Sequence, residues 1–385
     1  MQQSDRIYLD HAATSWPKPE AVYAAVDRYQ RELGAPAGRG VYAEALAVHD
    51  RVEQARTGIA RLIGARDPRQ VIFCYSGTDA LNQAILGAVR DGTHLITTAV
   101  EHNSVLRPLR ALEDAGRIAV TRVGCDAQGC VDPADIEQAW LANTQWVVVT
   151  HASNVTGAIQ PIHEIARIAH RRGGLLLVDA AQTLGEVPLN VAELEIDLLA
   201  APGHKGLLGP LGTGVLYLRP ELALEPLRRG GTGSRSQLNR QPDELPDRFE
   251  AGNLNVPGIF GLAAGVTYLH QRTVERIRAD SIALTTRLLT ALAGIKGVRL
   301  YGPPPGTRRA GIVSMTVEGY DPQELAVLLD TVYRVQARPG LHCAPLMHAA
   351  LGTLEHGGTL RLSLGCATTA AEVDAAVAAI AAAAG

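Results

Sequence analysis

Leu175-Leu176-Leu177-Val178-Asp179-Ala180-Ala181-Gln182, followed by Leu198-Leu199-Ala200-Ala201-Pro202-Gly203-His204-Lys205-Gly206, decides the fold. Each is a short unbroken apolar run that ends on polar or charged groups. Continuous rather than alternating hydrophobicity suits a strand covered on both faces, the pattern of a mostly parallel sheet between helices. Working outward, similar runs recur at Val71–Tyr75, His94–Thr98, Ile118–Val123, Trp146–Thr150, Asp197–Ala200 and Gly214–Leu218, with helical spacings between them. A long amphipathic helix over 44–64 precedes them, with Val48, Val52, Ala55, Ile59 and Leu62 on one face. The expected class is α/β, a large domain on a mostly parallel sheet.

A polar, proline-bearing stretch over 230–247 shows no periodicity and reads as a long loop facing a ligand or partner. Beyond it a helix around Ser281–Leu292, strands near Val298–Tyr301 and Gly311–Val317, a helix near Pro322–Tyr333 and an Ala-rich C-terminal helix predict a smaller α/β domain. The chain has 385 residues, which suits two domains. The boundary is expected at about 260–275. The finer division gives 15–265 to the large domain, and 1–14 with 266–385 to the small one.

Charge narrows the function. Lys and Arg total 36 against 39 for Asp and Glu, and no single-sign run follows a phosphate backbone or an anionic membrane. Neither nucleic acid nor membrane is expected as a partner. The N-terminus lacks the basic and long apolar segments of a leader, and five scattered cysteines without a C-x-x-C pair point away from disulfides and structural zinc. A cytoplasmic protein without a metal is the expectation.

Lys205 among glycines, just past a buried strand, stands where ligands bind in an open α/β sheet. Alone it reads more readily as a solvated surface lysine. Asp179 ends another apolar run, where an isolated carboxylate is costly unless it faces a cation or donors, although it could also cap a helix. Together the two supply what pyridoxal phosphate needs, an amine for a Schiff base and an anion beside the pyridine nitrogen. Ser76-Gly77-Thr78-Asp79 after the run Val71–Tyr75 offers an anion site at a helix start. His102 and Asn154 follow two further runs. Cys343, in Arg338-Pro339-Gly340-Leu341-His342-Cys343-Ala344, has loop neighbours rather than the core surroundings usual for a free cysteine.

These segments resemble the cysteine desulfurase and selenocysteine lyase family of fold-type I pyridoxal-phosphate enzymes, within the class V aminotransferase group. The match runs from Tyr8-Leu9-Asp10-His11-Ala12-Ala13-Thr14 through the motifs at 76–79, 101–103, 153–157, 179–182 and 203–205, Arg248-Phe249-Glu250-Ala251-Gly252-Asn253, the cysteine segment, and Leu360-Arg361-Leu362-Ser363-Leu364. The short connection around Cys343 is similar to that of the group II enzymes. The resemblance implies a homodimer that converts L-cysteine, or L-selenocysteine, to alanine and passes sulfur to an acceptor protein or small thiol, as in iron–sulfur cluster assembly. An aminotransferase or β-lyase without sulfur transfer is the alternative.

By the same resemblance Lys205 carries the cofactor, Asp179 pairs with the ring nitrogen, Gln182 bonds the ring hydroxyl and His102 stacks on the ring. Gly77, Thr78, Asp79 and His204 hold the phosphate, with Asn253 reaching the neighbouring subunit's. Ala13, Asn154, Arg338, His342 and Arg361 line the substrate site, and Cys343 is the nucleophile, with His342 and the cofactor-bound substrate both candidates for taking its proton. Two departures stand out: Pro202 replaces a hydroxyl residue and offers no N–H, and Asn253 stands where many relatives have Thr.

Overall fold

A computed structural model describes residues 6–38, 40–305 and 308–385. Among these, seven strands form the large sheet in the order Val71–Cys74, Gly214–Leu218, Leu198–Pro202, Leu175–Asp179, Thr144–Thr150, Thr93–Thr98, Ile118–Val123. Each expected strand is present, with ends shifted by one or two residues. The pairs from Leu198–Pro202 outward to Ile118–Val123 are parallel. Gly214–Leu218 runs antiparallel to both neighbours, because the connection over 203–213 is too short for the crossover that a parallel partner needs. That short connection is the Gly-His-Lys loop.

Two apolar cores flank this sheet, and alternate residues of one strand feed each: Val71 and Phe73 enter one, Ile72 and Cys74 the other. The first is closed by the helices Ala43–Leu62, Ile162–Arg171 and Val256–Arg272, the second by Gly77–Ala88 and Asn103–Asp114. Val256–Arg272 runs unbroken across position 265, and the break before the next helix, Val274–Ala293, falls at Thr273 with φ 65°. The stretch over 230–247 is irregular, as expected.

A second sheet is antiparallel, in the order Arg338–Gly340, Thr359–Ser363, Ile312–Val317, Val298–Tyr301. The helices Val274–Ala293, Pro322–Tyr333 and Ala370–Ala384 cover it around a separate core. Leu9 enters that core, and Ile7–Tyr8 pairs with Val335–Gln336, so the N-terminal strand joins the C-terminal unit. No described helix is long and apolar enough to cross a membrane.

The helix Ala43–Leu62 is tied to the sheet by a buried ion pair. Arg56 donates from Nη1 and Nη2 to the two carboxylate oxygens of Glu250 at 2.7 and 2.9 Å, and Glu250 also accepts from the Phe73 N–H at 2.6 Å. Glu53 adds a more exposed contact at 3.1 Å. Removing Glu250 strands a buried guanidinium, so Glu250→Ala should cost about 3–5 kcal/mol in urea unfolding of the cofactor-free protein. Glu53→Ala should cost about 0–1 kcal/mol; equal losses would contradict the assignment.

Candidate active site

Val71–Cys74, Thr93–Thr98, Thr144–Thr150, Leu175–Asp179 and Leu198–Pro202 share one direction, so the loops after them lie along one edge of the sheet. That edge, outside the carboxyl ends of the strands, is where an open α/β sheet binds ligands. Thr78, His102, Asn154, Asp179 and Lys205 are all there. The structure therefore brings together the five groups that the sequence spread over 128 positions (205 − 78 = 127 steps).

Lys205 makes no hydrogen bond through Nζ among the described residues. Burial lowers its pKa from 10.5 to about 8, Asp179 and Asp10 oppose the shift, and Arg361 and Arg338 add to it. Asp179 shows the mirror image: burial raises it, while an Ala181 N–H at 2.9 Å on Oδ1 and Lys205 lower it. Its Oδ2 accepts no hydrogen bond among the described residues. Each charge is costly in the buried setting and each is relieved by the other. Glu101, fully buried beside Thr150, is pushed up to about 8 by burial, so this acid tends to stay neutral near pH 7.

The anion candidate is equally specific. Ser76 caps the helix Gly77–Ala88 by accepting from the Asp79 N–H at 3.0 Å. A Cβ on Gly77 would lie 2.9 Å from Pro202 Cδ and 3.0 Å from Pro202 N, so the helix start sits directly on the Gly-His-Lys strand and only glycine fits. Thr78 Oγ1 is 2.8 Å from Ser104 Oγ, which is 2.9 Å from His102 Nδ1. His102 also accepts from the Ser104 N–H at 3.0 Å, capping its own helix, and burial, with Lys205 next, holds it at about 4, hence neutral. Asp79 is the exception in this group. Its carboxylate is held by Arg228 at 2.5 and 3.1 Å and by the Tyr75 N–H at 2.9 Å. Its own N–H is spent on Ser76, so it offers an anion no free donor; what it brings to the helix start is Arg228. His204, neutral at about 4 through burial, has a buried Nδ1 without a partner among the described residues.

Groups from the second sheet complete the pocket. Asn154 donates from Nδ2 to the His342 carbonyl at 2.6 Å, and its own carbonyl accepts from Arg361 Nη1 at 3.0 Å. Arg361 is 1% exposed, bonds Asp10 Oδ1 through Nη2 at 2.8 Å, and keeps a buried Nε without a partner among the described residues. The Cys343 carbonyl accepts from the Asn103 N–H at 2.7 Å. Its thiol stays partly exposed, 3.9 Å from Arg338 Nη2. His342 and Cys343 have φ of 50° and 58°, two successive non-glycine residues in the left-handed region, at about 1–3 kcal/mol each.

Gln182 bonds the Ala12 carbonyl at 3.1 Å, next to Ala13. Asn253 lies on the exposed segment after Glu250, its carbonyl accepting from Tyr75 Oη at 2.8 Å, and its side-chain amide makes no hydrogen bond among the described residues. His342 does not face the thiol as a base: both its ring nitrogens are engaged, with the Arg338 carbonyl at 3.0 Å and His348 at 3.3 Å. Sequence reasoning missed Asp10, Ser104, Arg228 and His348; only Asp10, inside the quoted Tyr8–Thr14 motif, carried a signal.

The model of the family described as Aminotransferase class-V matches residues 7–376. The chain belongs to the class-V aminotransferase family. It is 36% identical over 376 residues to a probable cysteine desulfurase of Methanothermobacter thermautotrophicus, covering 96% of this chain and 92% of that one. To one of Halalkalibacterium halodurans it is 34% identical, covering 97% and 91%. Among solved structures, an apo cysteine desulfurase from Thermococcus onnurineus superposes with a TM-score of 0.92 at 33% identity, over 99% of this chain and 95% of that one. The family's α/β fold, with its large mostly parallel sheet, is thus the fold observed.

The titration of Lys205 tests the electrostatics. Labelling by an amine-selective reagent, read by peptide mass spectrometry, should reach half its plateau near pH 8. In Asp179→Asn the midpoint should fall further, since the carboxylate favours the charged amine. A midpoint near the ordinary 10.5 would contradict the account.

Proposed function

We propose that this class-V family member is a pyridoxal-phosphate-dependent cysteine desulfurase that converts L-cysteine to L-alanine and takes up the sulfur on Cys343. The observation that carries the reading is the placement of the Cys343 thiol, on a strained loop beside Arg338, clipped through Asn154 to the arginine that would grip the substrate. An aminotransferase needs no thiol there.

The residues fit the cofactor. An unbonded amine at 205, an acid at 179 with an open oxygen, an orphaned His204 nitrogen and a helix start stripped of side chain at Gly77 match an aldehyde, a ring nitrogen and a phosphate. Pyridoxal phosphate supplies an electrophilic carbon and a ring that takes up the charge left when Cα loses its proton. Lys205 would hold the cofactor and, once released by substrate, carry the Cα proton; a pKa near 8 leaves a useful share of free amine at neutral pH. Asp179 would keep the ring nitrogen positive, Gln182 would reach the ring hydroxyl and neutral His102 would offer a ring face. Thr78, whose hydroxyl is 2.8 Å from that of Ser104, would turn it to the phosphate with His204.

Arg361 would bind the substrate carboxylate with its planar fork, beside Asn154. With Asp10 and Asn154 already holding two of its corners, it is oriented before substrate arrives. The Cys343 thiolate would then attack the substrate sulfur: an S–S bond forms, the C–S bond breaks with its electron pair passing to carbon, and protonation of that carbon yields alanine. Asn253, with an uncommitted amide on an exposed segment, fits a reach into the active site of a second copy, in a homodimer. The sulfur held on Cys343 would pass to an acceptor protein or a small thiol.

After turnover with L-cysteine, the peptide holding Cys343 should carry one extra sulfur by mass spectrometry. Cys343→Ala should abolish sulfide release yet retain the visible absorbance of bound cofactor. Undiminished release from that variant would reject the reading in favour of an enzyme without sulfur transfer.

A further inference from the structure

Behind the Cys343 loop runs a buried chain of side chains that the proposed reaction does not use. His342 Nε2 lies 3.0 Å from the Arg338 carbonyl oxygen, His342 Nδ1 lies 3.3 Å from His348 Nε2, and His348 Nδ1 lies 2.8 Å from Thr353 Oγ1. All three residues are at most 3% exposed. The hydrogens can be assigned from one end. A carbonyl oxygen only accepts, so His342 Nε2 carries its hydrogen and Nδ1 is bare. Nδ1 therefore accepts from His348 Nε2–H. His348 Nδ1 is then bare in turn and accepts the Thr353 hydroxyl hydrogen.

Every ring nitrogen is satisfied only while both rings are neutral, and burial holds His342 at about 2 and His348 at about 4. The far end is firmly seated. His348 lies in the helix Pro345–Ala350, the Thr353 N–H donates to the His348 carbonyl at 2.9 Å, and the Thr353 carbonyl accepts from the Gly358 N–H at 2.9 Å. The near end is where the backbone is strained, at His342 and Cys343. A strained conformation persists only when its surroundings over-determine it. Asn154 and Asn103 hold this segment by its backbone carbonyls from the large sheet, and the imidazole chain holds it by a side chain from the other side.

We propose that His348, seated on Thr353, is a positioning residue that acts through His342 to hold the Cys343 segment in its left-handed conformation, setting where the thiol stands. The proposal rests on Cys343 as the nucleophile for its effect on rate, but its structural half stands apart from that reading. It also gives His342 a function other than base.

Three variants test it: His348→Leu, which removes both hydrogen bonds; His348→Gln, which keeps an N–H donor where Nε2 stood; and Thr353→Val, which keeps shape without the hydroxyl. In His348→Leu, kcat for sulfide release should fall on the order of 10–100-fold, the scale of a small misplacement of a reacting group, with KM for cysteine within about threefold. Amide exchange over 338–344 should quicken about tenfold with other peptides unchanged. His348→Gln should stay within about threefold of the parent in both. Thr353→Val should shift both in the direction of the leucine variant, and serves in its place if that one fails to fold. Unchanged exchange and kcat in the leucine and valine variants would overturn the proposal, as would equal losses in leucine and glutamine. A parent enzyme that releases no sulfide would count against the desulfurase reading, and the exchange comparison would still decide the role of His348.

Discussion

Asn154 carries the constraint on which the site depends. It stands on a loop of the large sheet, yet its side chain and its backbone are both bonded to the second sheet's elements: Nδ2 donates to the His342 carbonyl and the backbone carbonyl accepts from Arg361 Nη1. One residue thereby fixes the distance between the nucleophile loop and the carboxylate-binding arginine, and sets both against the edge that holds Lys205 and Asp179. Both bonds are buried, and the one from the charged Arg361 donor contributes about 1.5–3 kcal/mol. Without them the two sheets would keep their own cores but lose a shared pocket.

Burial then does the chemical tuning. Burial disfavours the charge of Lys205, Arg361 and Arg338 add to that effect and Asp179 and Asp10 oppose it, and the free amine becomes available near neutrality. The histidines around it, 102 and 204, are held neutral by the same desolvation and by Lys205 itself. Positive charge is concentrated instead on guanidinium groups, which stay ionised in surroundings where imidazole does not. An anionic substrate meets fixed cations, while the groups that move protons or offer ring faces stay uncharged.

Much of this was legible in the sequence. The strands announced themselves because a parallel sheet covered on both faces needs unbroken apolar runs, and the polar residues that ended them had to lie on one edge once the strands shared a direction. The reversed strand Gly214–Leu218 was not legible from hydrophobicity, which carries no direction; the short connection over 203–213 held that information. Side-chain partners were the harder part. Arg361 meets Asp10 across 351 positions and Asp79 meets Arg228 across 149, separations at which nothing local signals a contact. His342 looked like a base because it adjoins the cysteine, but adjacent residues in a left-handed pair face different surroundings, and its ring is buried toward His348.

The central claim, that Asn154 makes Arg361 and the Cys343 loop one unit, is tested most directly by a double-mutant cycle in kcat/KM for sulfide release, combining Asn154→Ala, which removes the Nδ2 bond to the His342 carbonyl, with Arg361→Lys, which loses the guanidinium bond to the Asn154 backbone carbonyl. Two bonds of one network should show a coupling of about 0.5–3 kcal/mol. Additivity within about 0.5 kcal/mol would mean that the arginine and the thiol loop are held independently, and would contradict the account.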